Sequence, residues 1–223
     1  MSTVLVIGAS RGIGLEFVRQ YTADGARVIG TVRRAEDGAR LRELGAKPLL
    51  FDVLDEAAVA ELGAQLHGET LDIAIYNAGV YGPRTSAVSA PGGLDFDAVM
   101  HTNVRAPMQI IPQLASLLAA GGKLAVLSSR MGSISLMSST SGWLYRVSKA
   151  ALNSALRAAA IELGAQGIVC IAFHPGWVRT DMGGAGADVD AATSVAGMRR
   201  VLASANASQN GKFLNFNGEQ LAW

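Results

Sequence analysis

Thr3 to Ile7 is an unbroken apolar run, without the alternation of a half-exposed strand, and predicts a strand buried on both faces. A helix starts within the glycine-rich stretch that follows and runs through Leu15, Phe17, Val18 and Tyr21. The alternation then repeats. Arg27 to Val32 reads as a second strand, Glu36 to Leu44 as a helix and Lys47 to Phe51 as a third strand. Asp55 is placed to cap a helix through Ala57, Val59, Leu62 and Leu66. Leu71 to Tyr76 is strand four. Phe96 to Leu118 has a helical pattern that Pro107 and Pro112 should bend or interrupt. Lys123 to Leu127 is strand five, and a long helix of good formers follows Tyr145 through Leu152, Leu156 and Ala159. Ile168 to Phe173, a short helix around Ser194 to Leu202 and a strand near Phe213 to Phe216 complete the pattern. Such regular alternation predicts an α/β chain of one domain, 1–223, with a doubly wound parallel sheet of about seven strands and helices on both faces.

Ligands on such sheets sit beyond the carboxyl ends of the strands. Gly8, Arg33, Asp52, Asn77, Ser129 and Pro175 all fall at those ends. The turn Gly8-Ala9-Ser10-Arg11-Gly12-Ile13-Gly14 lies between a strand and a helix, the context in which glycines form a phosphate cradle. Tyr145 and Lys149 are four apart on a helix and so share a face. A nearby cation favours the phenolate and should draw the phenol down from about 10 toward a range useful for proton transfer. Strand five could deliver Ser129 to the same volume. A tyrosine and lysine at this spacing also occur on ordinary surface helices, so the pair takes its meaning from the rest of the chain.

Composition narrows the classes. Nineteen Lys and Arg against 18 Asp and Glu leave a net charge of +1, which argues against a nucleic-acid binder. The single cysteine, Cys170, lies between Val169 and Ile171, excludes an internal disulfide and suits a reducing cytoplasm. With no basic leader and no long apolar segment, no membrane span is expected. His67, His101 and His174 are not spaced as metal ligands, and no metal is expected.

Gly8-x-x-x-Gly12-x-Gly14, Asp52-Val53, Asn77-Ala78-Gly79, Asn103, Ser128-Ser129, Tyr145-x-x-x-Lys149 and Pro175-Gly176-Trp177-Val178-Arg179-Thr180 together resemble the short-chain dehydrogenase/reductase family over essentially the whole chain. Within it, Ser128 to Ile134, Tyr145 to Lys149 and the ending Gly218 to Trp223 resemble the small C-factor and sniffer-type carbonyl reductases. The resemblance implies a Rossmann-like fold, with a cofactor half over roughly 1–120 and a catalytic half over roughly 121–223. It implies Tyr145 as general acid or base, Lys149 stabilising the phenolate and holding the nicotinamide ribose, and Ser129 polarising a substrate carbonyl. Asn103 would hold a water linked to Lys149. Along the cofactor it implies Gly8, Ser10, Arg11, Gly12, Ile13, Gly14, Asp52, Val53, Asn77, Ala78 and Gly79, with Pro175, Gly176, Val178 and Thr180 against the nicotinamide. Asp52 alone would read as a turn or helix-cap residue.

Two positions depart from the commonest family pattern. Ile7 stands where a serine or threonine often precedes the first glycine. The stretch from Ser129 to Tyr145 is longer than usual, so Ser128 or Ser133 competes with Ser129 as the working hydroxyl. Cofactor choice follows from Thr31-Val32-Arg33-Arg34, where no carboxylate ends the second strand, and from Arg11 in the glycine loop. Guanidinium groups suit a 2′-phosphate, so NADP(H) is expected over NAD(H), chiefly through Arg33, unless Arg33 and Arg34 are merely a solvated strand end. Met131, Leu136, Met137, Trp143, Trp177 and Met182 are candidate walls for an apolar carbonyl substrate. The alternative is a dinucleotide-binding sensor on the same fold. Small residues along the helix after Tyr145 are compatible with a homodimer or homotetramer, and a cytoplasmic location is expected.

Overall fold

The computed structural model describes all 223 residues. In chain order its elements are β1 (Thr3–Ile7), α1 (Gly12–Ala23), β2 (Arg27–Val32), α2 (Gly38–Glu43), β3 (Lys47–Leu50), α3 (Glu56–Gln65), β4 (Leu71–Tyr76), α4 (Gly93–Met100), α5 (Ala106–Ala115), β5 (Leu118–Leu127), α6 (Trp143–Gly164), β6 (Val169–His174), α7 (Ala191–Ser204) and β7 (Lys212–Asn215). The seven strands form one parallel sheet in the order β3-β2-β1-β4-β5-β6-β7. This is the Rossmann-like architecture that the alternation predicts. The chain winds outward from β1 in one direction and, from β4 on, in the other. That reversal opens a crevice at the carboxyl ends of β1 and β4.

Successive side chains of a strand point to opposite faces, so each strand feeds two cores. Leu5, Ile7, Cys170 and Ala172 pack on one face with Val59, Leu62, Ile110, Leu114, Leu152 and Leu156 from α3, α5 and α6. Val4, Val6, Ile171 and Phe173 pack on the other with Phe17, Val18, Leu41, Val195 and Met198 from α1, α2 and α7. Each Val, Leu, Ile, Phe or Met among them, fully buried, contributes about 1.5–3 kcal/mol, which is what makes the central strands read as solid apolar runs. Asp55 caps α3, accepting from Ala57 N at 3.0 Å and Ala58 N at 3.2 Å.

The helical stretch predicted from Phe96 to Leu118 is broken, and the structure shows how. α4 runs into a π-helical turn, His101–Arg105, before α5 begins. Pro107 has no N–H to offer the preceding turn, and the Ala106 N–H bonds the His101 carbonyl five residues back. The Thr102 carbonyl left over accepts from the Tyr76 hydroxyl at 2.8 Å. This wide turn carries Asn103, which is fully buried. β5 starts five residues earlier than predicted, at Leu118 rather than Lys123, through an irregularity in its pairing with β4 that passes Gly121 at φ +77°. Gly121 lies in the extra residues that β5 inserts opposite β4, as in a bulge. Between β2 and α2 the chain makes a 3₁₀ turn, Ala35–Asp37. No helix is long and apolar enough to cross a membrane.

Candidate active site

The glycine turn closes against β2 and β4. Gly8 N donates to Thr31 Oγ1 at 2.8 Å, so β2 supplies the hydroxyl that Ile7 cannot. The Asn77 amide donates to the Gly8 carbonyl at 2.6 Å, and Ala78 N donates to the Ile7 carbonyl at 2.9 Å. Gly8 has φ +85°, and a Cβ there would come within 2.9 Å of the Ala78 backbone. A Cβ on Gly14 would overlap the Gly8 carbonyl oxygen. Arg11, at the start of α1, has extended backbone and gives no side-chain cap. The first N–H groups of α1 therefore lack an intrahelical or capping partner at the mouth of the crevice, as an anion site requires.

The crevice is a cleft of about 630 Å³. Gly8, Ser10, Arg11, Gly12 and Ile13 line it, with Asp52 and Val53 after β3 and Asn77, Ala78 and Gly79 after β4. Asp52 also accepts from Leu54 N at 3.0 Å, so the turn role read from the sequence and a place on the cleft coexist. Arg33 lines the cleft without an acidic partner, whereas Arg34 turns away to Glu36 and Asp37. Arg40 of α2 joins Arg33 there. Arg11 pairs with Asp181 at 2.8 Å across the cleft.

Tyr145, Lys149 and Ser129 meet at the carboxyl end of β5, all buried. Lys149 Nζ donates to the Leu127 carbonyl at 2.8 Å and lies 5.6 Å from the centre of the Tyr145 ring. Burial raises Tyr145 to about 12; the Ser129 hydroxyl pulls the other way and Tyr81 adds to the rise. Burial also lowers Lys149 to about 8. The expectation was a phenol drawn down by Lys149; here burial sets the direction upward, and the downward pull comes from Ser129.

The three candidate serines separate cleanly. Ser128 borders the cleft but spends its hydroxyl on Asn153 Oδ1 at 2.5 Å. Ser133 is fully buried and accepts from Leu136 N at 3.1 Å. Ser129 accepts from Met131 N at 3.1 Å, and its own hydroxyl hydrogen-bonds the phenol. The short turn Arg130–Gly132 is bolted to α6, since a Cβ on Gly132 would meet the Lys149 backbone at 2.8 Å. Asn103 Oδ1 accepts from Val80 N at 2.9 Å, and Nδ2 donates to Val80 O at 2.8 Å and to Ser148 Oγ at 2.9 Å. The side chain braces the loop after β4, and only a second Oδ1 lone pair is left for a water.

A family model described as short chain dehydrogenase matches residues 2–189. The chain belongs to that family. The C-signal protein of Myxococcus xanthus is 36% identical over 158 residues, 69% of this chain and 93% of its own length. A short-chain dehydrogenase/reductase from Burkholderia multivorans with bound NADP superposes with a TM-score of 0.90 at 32% identity, covering 100% of this chain and 99% of its own. Carbonyl reductase Sniffer of D. melanogaster does so with a TM-score of 0.92 at 28% identity, covering 100% of both chains.

Against this short-chain dehydrogenase frame, the later motif divides. Pro175 and Thr180 line the cleft. Gly176, at φ +87°, packs on Phe216 and Val189 and borders a second cavity of about 320 Å³ with Leu136 and Trp177. Val178 is buried in a bridge to Val189 that pins the base of the segment up to Asp190. Gly14 does not line the cleft; it permits the close approach of α1 to the Gly8 carbonyl. Three contributors escape a sequence reading. Thr31 acts through Gly8 of another strand and Tyr81 through the Tyr145 ring, while Arg40 reaches the cleft only because α2 folds beside it.

Proposed function

We propose that this short-chain dehydrogenase reduces an aldehyde or ketone to an alcohol, or runs the reverse, with NADP(H) preferred over NAD(H). The observation that carries the reading is the buried Tyr145–Lys149 pair beside Ser129, opening on the same cleft as the glycine cradle. A nicotinamide dinucleotide fits the residues present. Glycines at 8 and 12 keep side chains out of the cradle, the α1 N–H groups face an anion, and Arg33 and Arg40 offer unpaired cations at the β2 end. Similarity to the NADP-bound Burkholderia protein supports the same choice.

When bound, the nicotinamide supplies or accepts the hydride. Tyr145 keeps its proton up to about 12 and so is a donor at neutral pH for the carbonyl oxygen. The Ser129 O–H, placed beside the phenol, donates to that oxygen and stabilises the charge developing on it. Lys149 spends one of its three N–H donors on Leu127, leaving two for ribose hydroxyls and for the proton path to the phenol. Leu136, Met137, Trp177 and Met182 are exposed apolar side chains around the carboxyl end of the sheet, which suits an apolar carbonyl compound in an open site.

The test is NADPH oxidation over a panel of aldehydes, ketones and diketones, with Tyr145→Phe and an NADPH-binding titration alongside. Turnover that falls by about 10²–10⁴ in the variant, with cofactor affinity kept, is the expected result. NADPH binding without turnover in the wild type on any carbonyl would instead favour a dinucleotide sensor.

A further inference from the structure

The ring of Tyr81 stacks on the ring of Tyr145, with centroids 4.6 Å apart and planes 22° from parallel. Tyr81 belongs to the loop after β4, and that loop is fastened on both sides of it. Asn103 holds Val80 by both its N–H and its carbonyl. The Thr85 carbonyl accepts from Gly142 N at 2.9 Å, and Thr140 Oγ1 donates to the Ser86 carbonyl at 3.2 Å. Gly142 is the residue from which α6 starts, at φ +65°, and a Cβ there would collide with the Tyr81 hydroxyl. On Tyr81 itself, the Arg84 guanidinium lies 4.9 Å from the ring centre and donates to the Met182 carbonyl at 2.8 Å. Met182 lines the cleft.

Resting on the reductase reading, we propose that Tyr81 is a positioning residue: its ring, fixed by Asn103 through Val80 and by Arg84, sets the plane and depth of the Tyr145 phenol. The helix bonds its surroundings through Ser148, Lys149 and Asn153, which fix its backbone but leave the orientation of the Tyr145 ring to its own side-chain rotamer. Nothing else in the structure stacks on that ring. Aromatic stacking contributes about 0.5–1.5 kcal/mol beyond area burial, enough to hold one orientation of the ring against its alternatives. Orientation matters because a misplacement of about 1 Å at a reacting group costs on the order of 10²-fold in rate. Arg84 extends the same contact to the segment after Val178, so that the wall of the cleft and the proton donor share one support.

The chain has four tyrosines, so protein labelled with [¹³Cζ]tyrosine gives four resonances, with Tyr145→Phe identifying the one of interest. Tyr81→Phe keeps the stack and Tyr81→Leu removes it. For Tyr81→Leu, kcat is expected to fall by about 30-fold, with the NADPH Kd unchanged and the Tyr145 resonance broadened or doubled. Tyr81→Phe should stay within about threefold of wild type and keep one sharp resonance. A loss confined to KM, or a Tyr81→Leu protein with wild-type kcat and an unchanged Tyr145 resonance, would overturn the proposal. If Tyr81→Leu does not fold, Arg84→Ala is read in the same two ways, and no change in either measurement is equally fatal. Absence of turnover in wild type defeats the reductase reading alone, since the resonance still reports whether Tyr81 holds Tyr145.

Discussion

Removing the Lys149 ammonium from water lowers its pKa to about 8, and the same burial raises Tyr145 to about 12. Below pH 8 both groups therefore carry their protons, the state in which the phenol can donate. As pH rises through about 8 the Lys149 charge is lost while the phenol stays protonated. The rate of carbonyl reduction is expected to fall across that range, and a kcat profile from pH 6 to 10 with saturating NADPH measures it; a flat profile would separate Lys149 from the proton path. Gly14 is a second position where a single atom decides. A Cβ there overlaps the Gly8 carbonyl and sits 2.6 Å from the Asn77 amide. Gly14→Ala should cost about 1–3 kcal/mol by overpacking and weaken NADPH binding, seen together in a melting curve and a binding titration. That glycines mattered here was readable from the strand-turn-helix context; that Gly14 acts by packing α1, not by lining the cleft, was not.

Between elements, the site depends on how α2, the turn after β5 and α6 meet. Arg33 follows β2 directly, and Arg40 of α2 lines the same cleft. Both lack an acidic partner, so a 2′-phosphate would find two cations. Arg33→Asp should reverse the NADPH/NADH ratio of kcat/KM, and Arg40→Ala should lower it less; an unchanged ratio for both would remove the basis for NADP(H) preference. The Arg130–Gly132 turn is held by Asn153, whose amide donates to the Gly132 carbonyl at 3.3 Å while its oxygen accepts from Ser128. Those bonds tie the end of β5 to the middle of α6, and so hold Ser129 at the phenol across a long intervening loop. Helix and strand identities were legible from hydrophobic period because each element buries a continuous face. The π-turn at His101–Arg105 was not, since Pro107 foretells a break but the Tyr76 hydroxyl that stabilises it comes from another strand.

For the molecule as a whole, acid stability turns on His174 at the end of β6. Its Nδ1 is buried with no partner, and burial together with Arg130 lowers its pKa from 6.5 to about 4. A group that is neutral when folded and protonated when unfolded contributes stability in full above pH 6.5, and that contribution is lost as pH falls through about 4. The loss is on the order of 3 kcal/mol, and His174→Gln should flatten the slope of urea-unfolding stability between those pH values. The sequence by itself determined the order of elements, the parallel sheet and the strand ends at which Gly8, Asp52, Asn77, Ser129 and Pro175 gather, because apolar period and chain order are local properties. It also contained the Tyr145–Lys149 face, which helical spacing alone dictates. The tertiary structure decided the rest: which of three serines meets the phenol, which arginines face the cleft, that Thr31 replaces the hydroxyl absent at Ile7, and that Tyr81 covers the phenol. It also set the direction in which Tyr145 titrates, because burial is a property of the whole fold.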